Sequence, residues 1–464
     1  MADFDIFVIG AGGAGVAAAI QSAELGATVA IAETGTVGGT CVNVGCIPSK
    51  NLIQAGEYYH TARHGFPGIE PCDPVLDWKA VLQQKNALVE ELRQTKYLDV
   101  LRSYPDMELL EAPAQLLGDG GVQAGTVKYR ARKIIVATGA APAMPPISGL
   151  ADVNALTSTT AMELGELPAS LLVLGGSSVG LELGQAFARF GTKVTIVELE
   201  KRLLPNDDET VAEVLRAHLE AEGLKIHTGM QTVGIERGGD QVVLQVENGS
   251  LKGELRAQHL LLAVGRRPNT AGLGLDLAGV ELTQKGFIKV DAFLRTTSPD
   301  VFAAGDVTGG PAFVYVAAQG GRIAAHNALK AEATPLDLTV VPSVTFTSPQ
   351  VGSVGLTEAQ ARAAGHQVEV SVLEMKHAPR ALVSHDTRGM VKIVAEAGSG
   401  KLLGVHSVAP HAGEFMGEAA LALRFGLTAR DLVGTLHPYL TWIETVRLAA
   451  QGFSMDVSKL SCCA

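Results

Sequence analysis

The sequence predicts an α/β protein: two Rossmann-like dinucleotide-binding domains followed by a C-terminal α+β domain. Three observations carry that expectation. Two glycine-rich turns, Gly10-Ala11-Gly12-Gly13-Ala14-Gly15 and Gly175-Gly176-Ser177-Ser178-Val179-Gly180, each follow an apolar run and open a helical stretch. Each half then closes on an apolar strand running into glycine, first at Lys133 to Ala140 and again at Leu260 to Asn269. From about Leu336 onward no nucleotide signal recurs; strands such as Ser343 to Phe346, Met390 to Val394 and Leu402 to Val408 alternate with helices such as Ala412 to Phe425.

Taken in order, Asp5 to Gly10 is strand-like, Val16 to Leu25 has helical character, and Thr28 to Glu33 is strand-like again. Strand, glycines, helix, strand and acidic end in that order are a far stronger signal than a lone G-x-G-x-x-G. The glycines let the backbone approach a pyrophosphate at a helix N-terminus, and Glu33 is placed to accept hydrogen bonds from the adenosine ribose. Directly afterwards comes Gly38-Gly39-Thr40-Cys41-Val42-Asn43-Val44-Gly45-Cys46-Ile47-Pro48-Ser49-Lys50. Two cysteines beside a nucleotide signal suggest a redox centre, and a turn at Asn43-Val44-Gly45 leading into a helix would let the sulfurs meet. A buried structural pair and half of a zinc site are the alternatives; zinc is weakened by the missing C-x-x-C spacing and the absence of a nearby histidine.

Residues from Asn51 to about Ser103 are expected to be helical, with Trp78, Leu82 and Leu92 at helical spacing. Tyr58, Tyr59, His60 and His64 there are expected to pack or to be solvated rather than to ligate. Pro142, Pro145 and Pro146 mark a boundary. The second fold runs from Leu171-Leu172-Val173-Leu174 through its glycine turn, a helix reaching Phe190, and a strand from Lys193 to Glu198. Ser177 stands where the fingerprint has its middle glycine, which weakens this match relative to the first. Val301 to Asp306 is a strand ending in an acid placed to meet a cofactor hydroxyl. The expected domain segments are 1–147, 148–268, a return segment 269–335, and 336–464.

At 464 residues the chain is too long for one ordinary core. With 47% hydrophobic residues, 18% charged and 53 glycines it reads as globular. A net charge of -11 argues against a nucleic-acid partner. No apolar run reaches membrane-spanning length, and Met1-Ala2-Asp3-Phe4-Asp5 lacks the positive start of a signal peptide, so a cytoplasmic protein without membrane insertion is expected. Five cysteines, Cys41, Cys46, Cys72, Cys462 and Cys463, do not make a disulfide framework and suggest redox or metal chemistry.

Two dinucleotide folds flanking Gly-Gly-Thr-Cys-x-Asn-x-Gly-Cys-x-Pro-Ser-Lys, with Ala-Thr-Gly at 137–139, Gly-Arg-Arg-Pro-Asn at 265–269 and Ala-Gly-Asp at 304–306, resemble the pyridine nucleotide-disulfide oxidoreductases over essentially the whole chain. Within that family, Pro379-Arg380-Ala381-Leu382, Pro438-Tyr439-Leu440-Thr441 and the ending Ser461-Cys462-Cys463-Ala464 are similar to the mercuric reductase branch, rather than to dihydrolipoamide dehydrogenase or glutathione reductase. The resemblance implies FAD at Gly10, Gly12, Gly15, Glu33, Thr40, Gly139 and Asp306, and NADPH or NADH at Gly175, Gly180 and Glu198. Lys50, Ala114 and Gly265 complete the implied cofactor-binding set. It further implies that Cys46 sits against the flavin, that Cys41 exchanges with incoming ligands, and that Lys50 and Glu182 pair near the reactive flavin edge. Hg(II), arriving as thiol complexes, is the implied substrate. Cys41, Cys46, Cys462 and Cys463 are its ligands and Tyr439 its helper, in a homodimer whose C-terminal domain is the dimerisation domain and whose active site is shared between subunits.

Two departures qualify that picture. His437-Pro438 resembles the His-Pro of disulfide reductases, but Trp442 replaces the glutamate that would orient the histidine and the next acid is Glu444, so the acid-base dyad is expected to be broken and His437 to be structural or auxiliary. No metal-binding module precedes Asp3, so the chain is expected to be a catalytic core. The rival functions are a dihydrolipoamide dehydrogenase-like disulfide reductase and a non-catalytic, flavin-containing thiol metal buffer. Glu198 favours NADH, whereas Lys201 and Arg202 lie close enough in sequence to offset it.

Overall fold

The computed structural model describes residues 2–249 and 251–459, so Cys462 and Cys463 lie outside the described residues. Its centre in the first unit is β1 (Phe4–Ile9), where Ile6, Phe7 and Val8 are fully buried. Burying one such side chain is worth about 2 kcal/mol, and apolar residues on both faces fit a parallel strand covered on both sides. β1 is followed by α1 (Gly13–Glu24) and β2 (Val29–Ala32), which pairs parallel to β1 with Ile6 opposite Val29. The sheet has seven strands; Met107–Leu110 lies outside β2, and Val127–Val136 lies on the other side of β1 and also pairs with Val301–Ala303. Helix Val314–Leu329 packs on α1 so closely that a Cβ at Gly321 would come within 2.0 Å of the Ala14 carbonyl oxygen. This unit comprises 1–51, 79–143 and 265–337.

After β2 the chain forms α2 (Gly39–Val44), breaks at Gly45, and restarts as α3 (Cys46–His64). Gly65 to Asp77 is irregular apart from a Phe66–Ile69 bridge, although helix was expected across this stretch. Pro67, Pro71 and Pro74, with Gly65 and Gly68 at positive φ, interrupt the helical ladder there.

The second unit comprises 52–78, 144–264 and 338–464. It contains β3 (Ser170–Leu174), α4 (Ser178–Arg189) and β4 (Lys193–Val197), in a four-stranded parallel sheet with His259–Leu262 beside β3 and Lys225–His227 beside β4. A three-stranded antiparallel sheet spans Gln231 to Ala257. The C-terminal part is a five-stranded antiparallel sheet in which Gln350–Gly355, Leu402–Ala409 and Met390–Glu396 are central, packed against α5 (Ala412–Arg424) through Phe415, Met416 and Ala419. These are the two parallel dinucleotide folds and the α+β C-terminal domain that the sequence predicts. The chain passes between the two units after Asn51, Trp78, Ala143, Val264 and Asp337.

Candidate active site

The fingerprint turns repeat each other atom for atom in their steric logic. Gly10 has φ +103° and a Cβ there would lie 2.6 Å from the Ala137 carbonyl oxygen; Gly175 has φ +112° and would meet the Ala263 oxygen at 2.3 Å. A Cβ on Gly15 or Gly180 would strike the oxygen of Gly10 or Gly175, at 1.7 and 2.1 Å. Only glycine fits these four positions. The middle position is different: Gly12 (φ -82°, ψ -169°) and Ser177 (φ -100°, ψ -176°) are both extended helix N-caps, a conformation any residue adopts. Serine at that position therefore costs the second fold no backbone strain.

The redox segment is attached to the first turn. Gly38 N donates to the Ala11 oxygen at 2.8 Å, and a Cβ on Gly39 would come within 2.6 Å of Gly12 Cα. Asn43 braces the segment, donating from Nδ2 to the Val37 and Gly39 oxygens at 3.0 and 2.9 Å and accepting from Arg93 Nη1 at 3.3 Å. Cys41 lies on α2 and Cys46 is the first residue of α3, so the helix break brings the two thiols together across the turn that the sequence suggested. The Cys41 thiol is pushed up from its ordinary range, first by its hydrogen bond to the Cys46 sulfur and then by burial, while the Cys46 backbone N–H and the Lys50 ammonium oppose this. The Cys41 thiol is thus hydrogen-bonded to the Cys46 sulfur, which stands at the N-terminus of a 19-residue helix, where negative charge is favoured. Tyr97 stands beside them on a π-helical turn, Gln94–Leu98, and its phenol is pushed up by burial and by the charges of Cys41 and Cys46.

The first unit also fits the implied FAD. The α1 N-terminus has no side-chain cap and no acid in its first turn, which leaves its amides for a pyrophosphate. Glu33 accepts from Ala11 N at 2.7 Å and from Gly35 N at 2.8 Å, fixing the carboxylate with lone pairs to spare for ribose hydroxyls. Thr138 Oγ1 donates to the Asn269 oxygen at 2.7 Å and Asn269 N donates to the Gly139 oxygen at 3.0 Å, so the Ala-Thr-Gly and Gly-Arg-Arg-Pro-Asn motifs hold each other. Arg266 Nη2 donates to the Ala140 oxygen and, at 3.3 Å, to Thr40 Oγ1. Its Nε is buried without a hydrogen-bond partner, 3.6 Å from Asp306, whose carboxyl burial pushes up against the pull of Arg266. An orphaned donor and a desolvated acid facing each other are what a polar cofactor edge would satisfy. Ala114 is buried on strand Ala114–Gly118, and Gly265, at φ +107°, accepts from Ala143 N at 2.9 Å.

In the second unit Glu198 is buried and accepts from Gly176 N at 2.5 Å and Glu200 N at 2.7 Å. Glu182 is buried on α4 and accepts from Phe346 N at 2.9 Å. Lys50 is half-buried on the first turns of α3. Among the described residues no group of three or more His, Cys, Asp or Glu side chains is arranged to hold a metal ion, and no helix is long and apolar enough to cross a membrane.

The C-terminal domain corrects one expectation. His437 does have a carboxylate partner: its Nε2 lies 2.8 Å from Glu418 Oε1 and its Nδ1 2.9 Å from the Thr435 oxygen. The acid comes from α5, not from the segment after the histidine, while Glu444 instead accepts from Leu440 N at 3.1 Å. Tyr439 is about half exposed on the turn that follows. Trp442, in the place of the expected glutamate, lies under Arg380 at 5.6 Å, which joins the Pro-Arg-Ala-Leu and Pro-Tyr-Leu-Thr segments. Arg266 was visible in the sequence only as part of a motif; Tyr97 and Glu418 carried no local signal.

The family model described as pyridine nucleotide-disulphide oxidoreductase matches residues 4–321, and the one described as its dimerisation domain matches residues 341–450. The chain is 45% identical to the mercuric reductase of Streptomyces lividans over 474 residues, covering 99% of this chain and 98% of that protein. It is 42% identical to the mercuric reductase of Staphylococcus aureus over 463 residues, covering 100% of this chain and 84% of that protein. Among solved structures, the HOCl-induced flavoprotein disulfide reductase RclA from Escherichia coli is similar, with a TM-score of 0.87 and 30% identity over 96% of this chain and 99% of that one. Matched by both models and related at such identity along its length, the chain belongs to the pyridine nucleotide-disulphide oxidoreductase family and is an oxidoreductase enzyme, for which FAD and NAD(P)H are the implied cofactors.

Proposed function

We propose that this enzyme reduces Hg(II) to elemental mercury, taking the ion from thiol complexes and two electrons from a nicotinamide nucleotide. The observation that carries the reading is the Cys41/Cys46 dithiol at the α3 N-terminus, braced against the first fingerprint loop. Two thiolates suit a soft ion such as Hg(II). The oxidation balance is simple: one hydride gives Hg(0), oxidised nucleotide and a proton. Bound FAD would supply the two-electron connection between nicotinamide and thiol-held ion. Cys46 offers its sulfur at the helix N-terminus, and Cys41, releasing its proton as Hg(II) binds, exchanges with incoming thiol ligands. Lys50 and Glu182 set the charge balance of the reactive centre, since a cation there favours the anion that develops on reduction. Tyr439 assists the metal site. Cys462 and Cys463 of the partner subunit deliver the ion in a homodimer, for which the matched dimerisation domain is support. The four segments 1–147, 148–268, 269–335 and 336–464 are the proposed functional division, and a reducing cytoplasm is the compartment that supplies both nucleotide and thiols.

A disulfide reductase is the second reading, favoured by the His437–Glu418 pair, because a leaving thiolate needs a proton carrier. Initial rates with Hg(II), lipoamide and glutathione disulfide separate the two. Hg(II) turnover is expected to exceed both, and His437→Phe is expected to lower residual disulfide turnover by about a hundredfold while leaving the Hg(II) rate within about twofold. Faster turnover of either disulfide selects the rival.

A further inference from the structure

We infer that the second dinucleotide fold is built for NADH and discriminates against NADPH through the fixed carboxylate of Glu198. The inference rests on the nicotinamide-nucleotide site of the proposed function and not on its metal substrate. Glu198 ends β4 with only 8% of its surface exposed, and both carboxylate oxygens are held by backbone amides, Gly176 N on Oε2 and Glu200 N on Oε1. The first fold holds Glu33 in the same way, through Ala11 N on Oε2 and Gly35 N on Oε1. In both folds the acid follows the loop amide by 22 residues and accepts a second bond from the amide two residues on. FAD, the nucleotide implied for the first fold, carries an adenosine ribose without a 2′-phosphate. The same device in the second fold is therefore set to accept from a free 2′-hydroxyl, using the lone pairs that the amides leave over.

A 2′-phosphate would bring about -1.5 to -2 charges against that carboxylate. Glu198 cannot swing away without breaking two backbone hydrogen bonds and the packing of Gly176, whose added Cβ would lie 3.1 Å from Glu198 Cβ. The nearby cations do not offset it. Arg202 is committed to the loop backbone, donating to the Pro205 and Asp207 oxygens at 2.6 and 2.8 Å. Lys201 is exposed, so its charge is screened by solvent.

The test titrates the holoenzyme with NADH and NADPH in the absence of Hg(II), reading quenched nicotinamide fluorescence for Kd and flavin bleaching for hydride transfer. NADH is expected to bind tighter by about tenfold or more. Glu198→Gln, which keeps an acceptor for Gly176 N but removes the charge, is expected to bring the two affinities within about threefold of each other, while Arg202→Ala leaves the ratio unchanged within about twofold. Equal or tighter NADPH binding by the wild type, an unmoved ratio in Glu198→Gln, or collapse of NADPH binding in Arg202→Ala overturns the assignment. If Glu198→Gln does not retain flavin, competition on the wild type decides: 5′-AMP displacing NADH better than 2′,5′-ADP supports the inference, and the reverse order overturns it. Because no arm contains mercury, failure here is distinct from failure of Hg(II) turnover.

Discussion

Cys46→Ala holoenzyme is expected to lose Hg(II)-dependent nucleotide oxidation by on the order of a thousandfold or more, the scale on which removal of a reacting group is felt. On anaerobic addition of two electrons it is also expected to lack a long-wavelength thiolate-to-flavin absorption band. The reason lies in the asymmetry of the dithiol. Cys46 opens a 19-residue helix, whose N-terminus favours negative charge on that sulfur, and the Cys41 thiol is hydrogen-bonded to it. Cys41→Ala should lose turnover to a similar extent but retain the band, because the helix N-terminus that stabilises the Cys46 thiolate is untouched. A band that survives in Cys46→Ala and vanishes in Cys41→Ala reverses the assignment of the two sulfurs.

Mixing two inactive variants is expected to restore activity. Cys41→Ala/Cys46→Ala chains lack the reducing pair, and Cys462→Ala/Cys463→Ala chains lack the proposed delivery pair, so each alone should be inactive towards Hg(II) in excess thiol. Delivery across a two-fold dimer lets the tail of the first chain serve the dithiol of the second. Random reassociation of equal amounts should then recover about a quarter of wild-type turnover, since half of the dimers are mixed and one of their two sites is complete. Thiolate-to-thiolate exchange keeps the ion liganded during the transfer, which is why the loss should be greatest when competing thiol is abundant. Full activity of the tail variant on its own under those conditions removes Cys462 and Cys463 from the mechanism.

The parts of this architecture readable from sequence are those with local steric causes. Gly10, Gly15, Gly175 and Gly180 announce themselves because a carbonyl oxygen occupies the space of a Cβ at each. The break between Cys41 and Cys46 was likewise visible, as Gly45 directly precedes the second cysteine. Contacts between distant segments were not. Arg266 reaches Thr40 across 226 positions, and only the folded first unit shows that its Nε faces Asp306 without a hydrogen bond. Tyr97 lies on a π-helical turn whose sequence, Gln-Thr-Lys-Tyr-Leu, resembles any amphipathic helix. Glu418 carries no local signal because the carboxylate that meets His437 is supplied from α5, 19 residues earlier in the chain. Between Gly65 and Asp77 the prolines outweigh the helical spacing of the apolar residues, and the chain is irregular where helix is expected.

Reduction of Hg(II) to the element is tested by following mercury vapour and nucleotide oxidation together, with purified holoenzyme, Hg(II), excess low-molecular thiol and NADH. Vapour is expected only with both enzyme and nucleotide, in equal moles to the nucleotide oxidised, and is expected to cease in the Cys41→Ala/Cys46→Ala variant. Hg(II) bound without nucleotide oxidation, or nucleotide oxidised without any mercury released as the element, would contradict it.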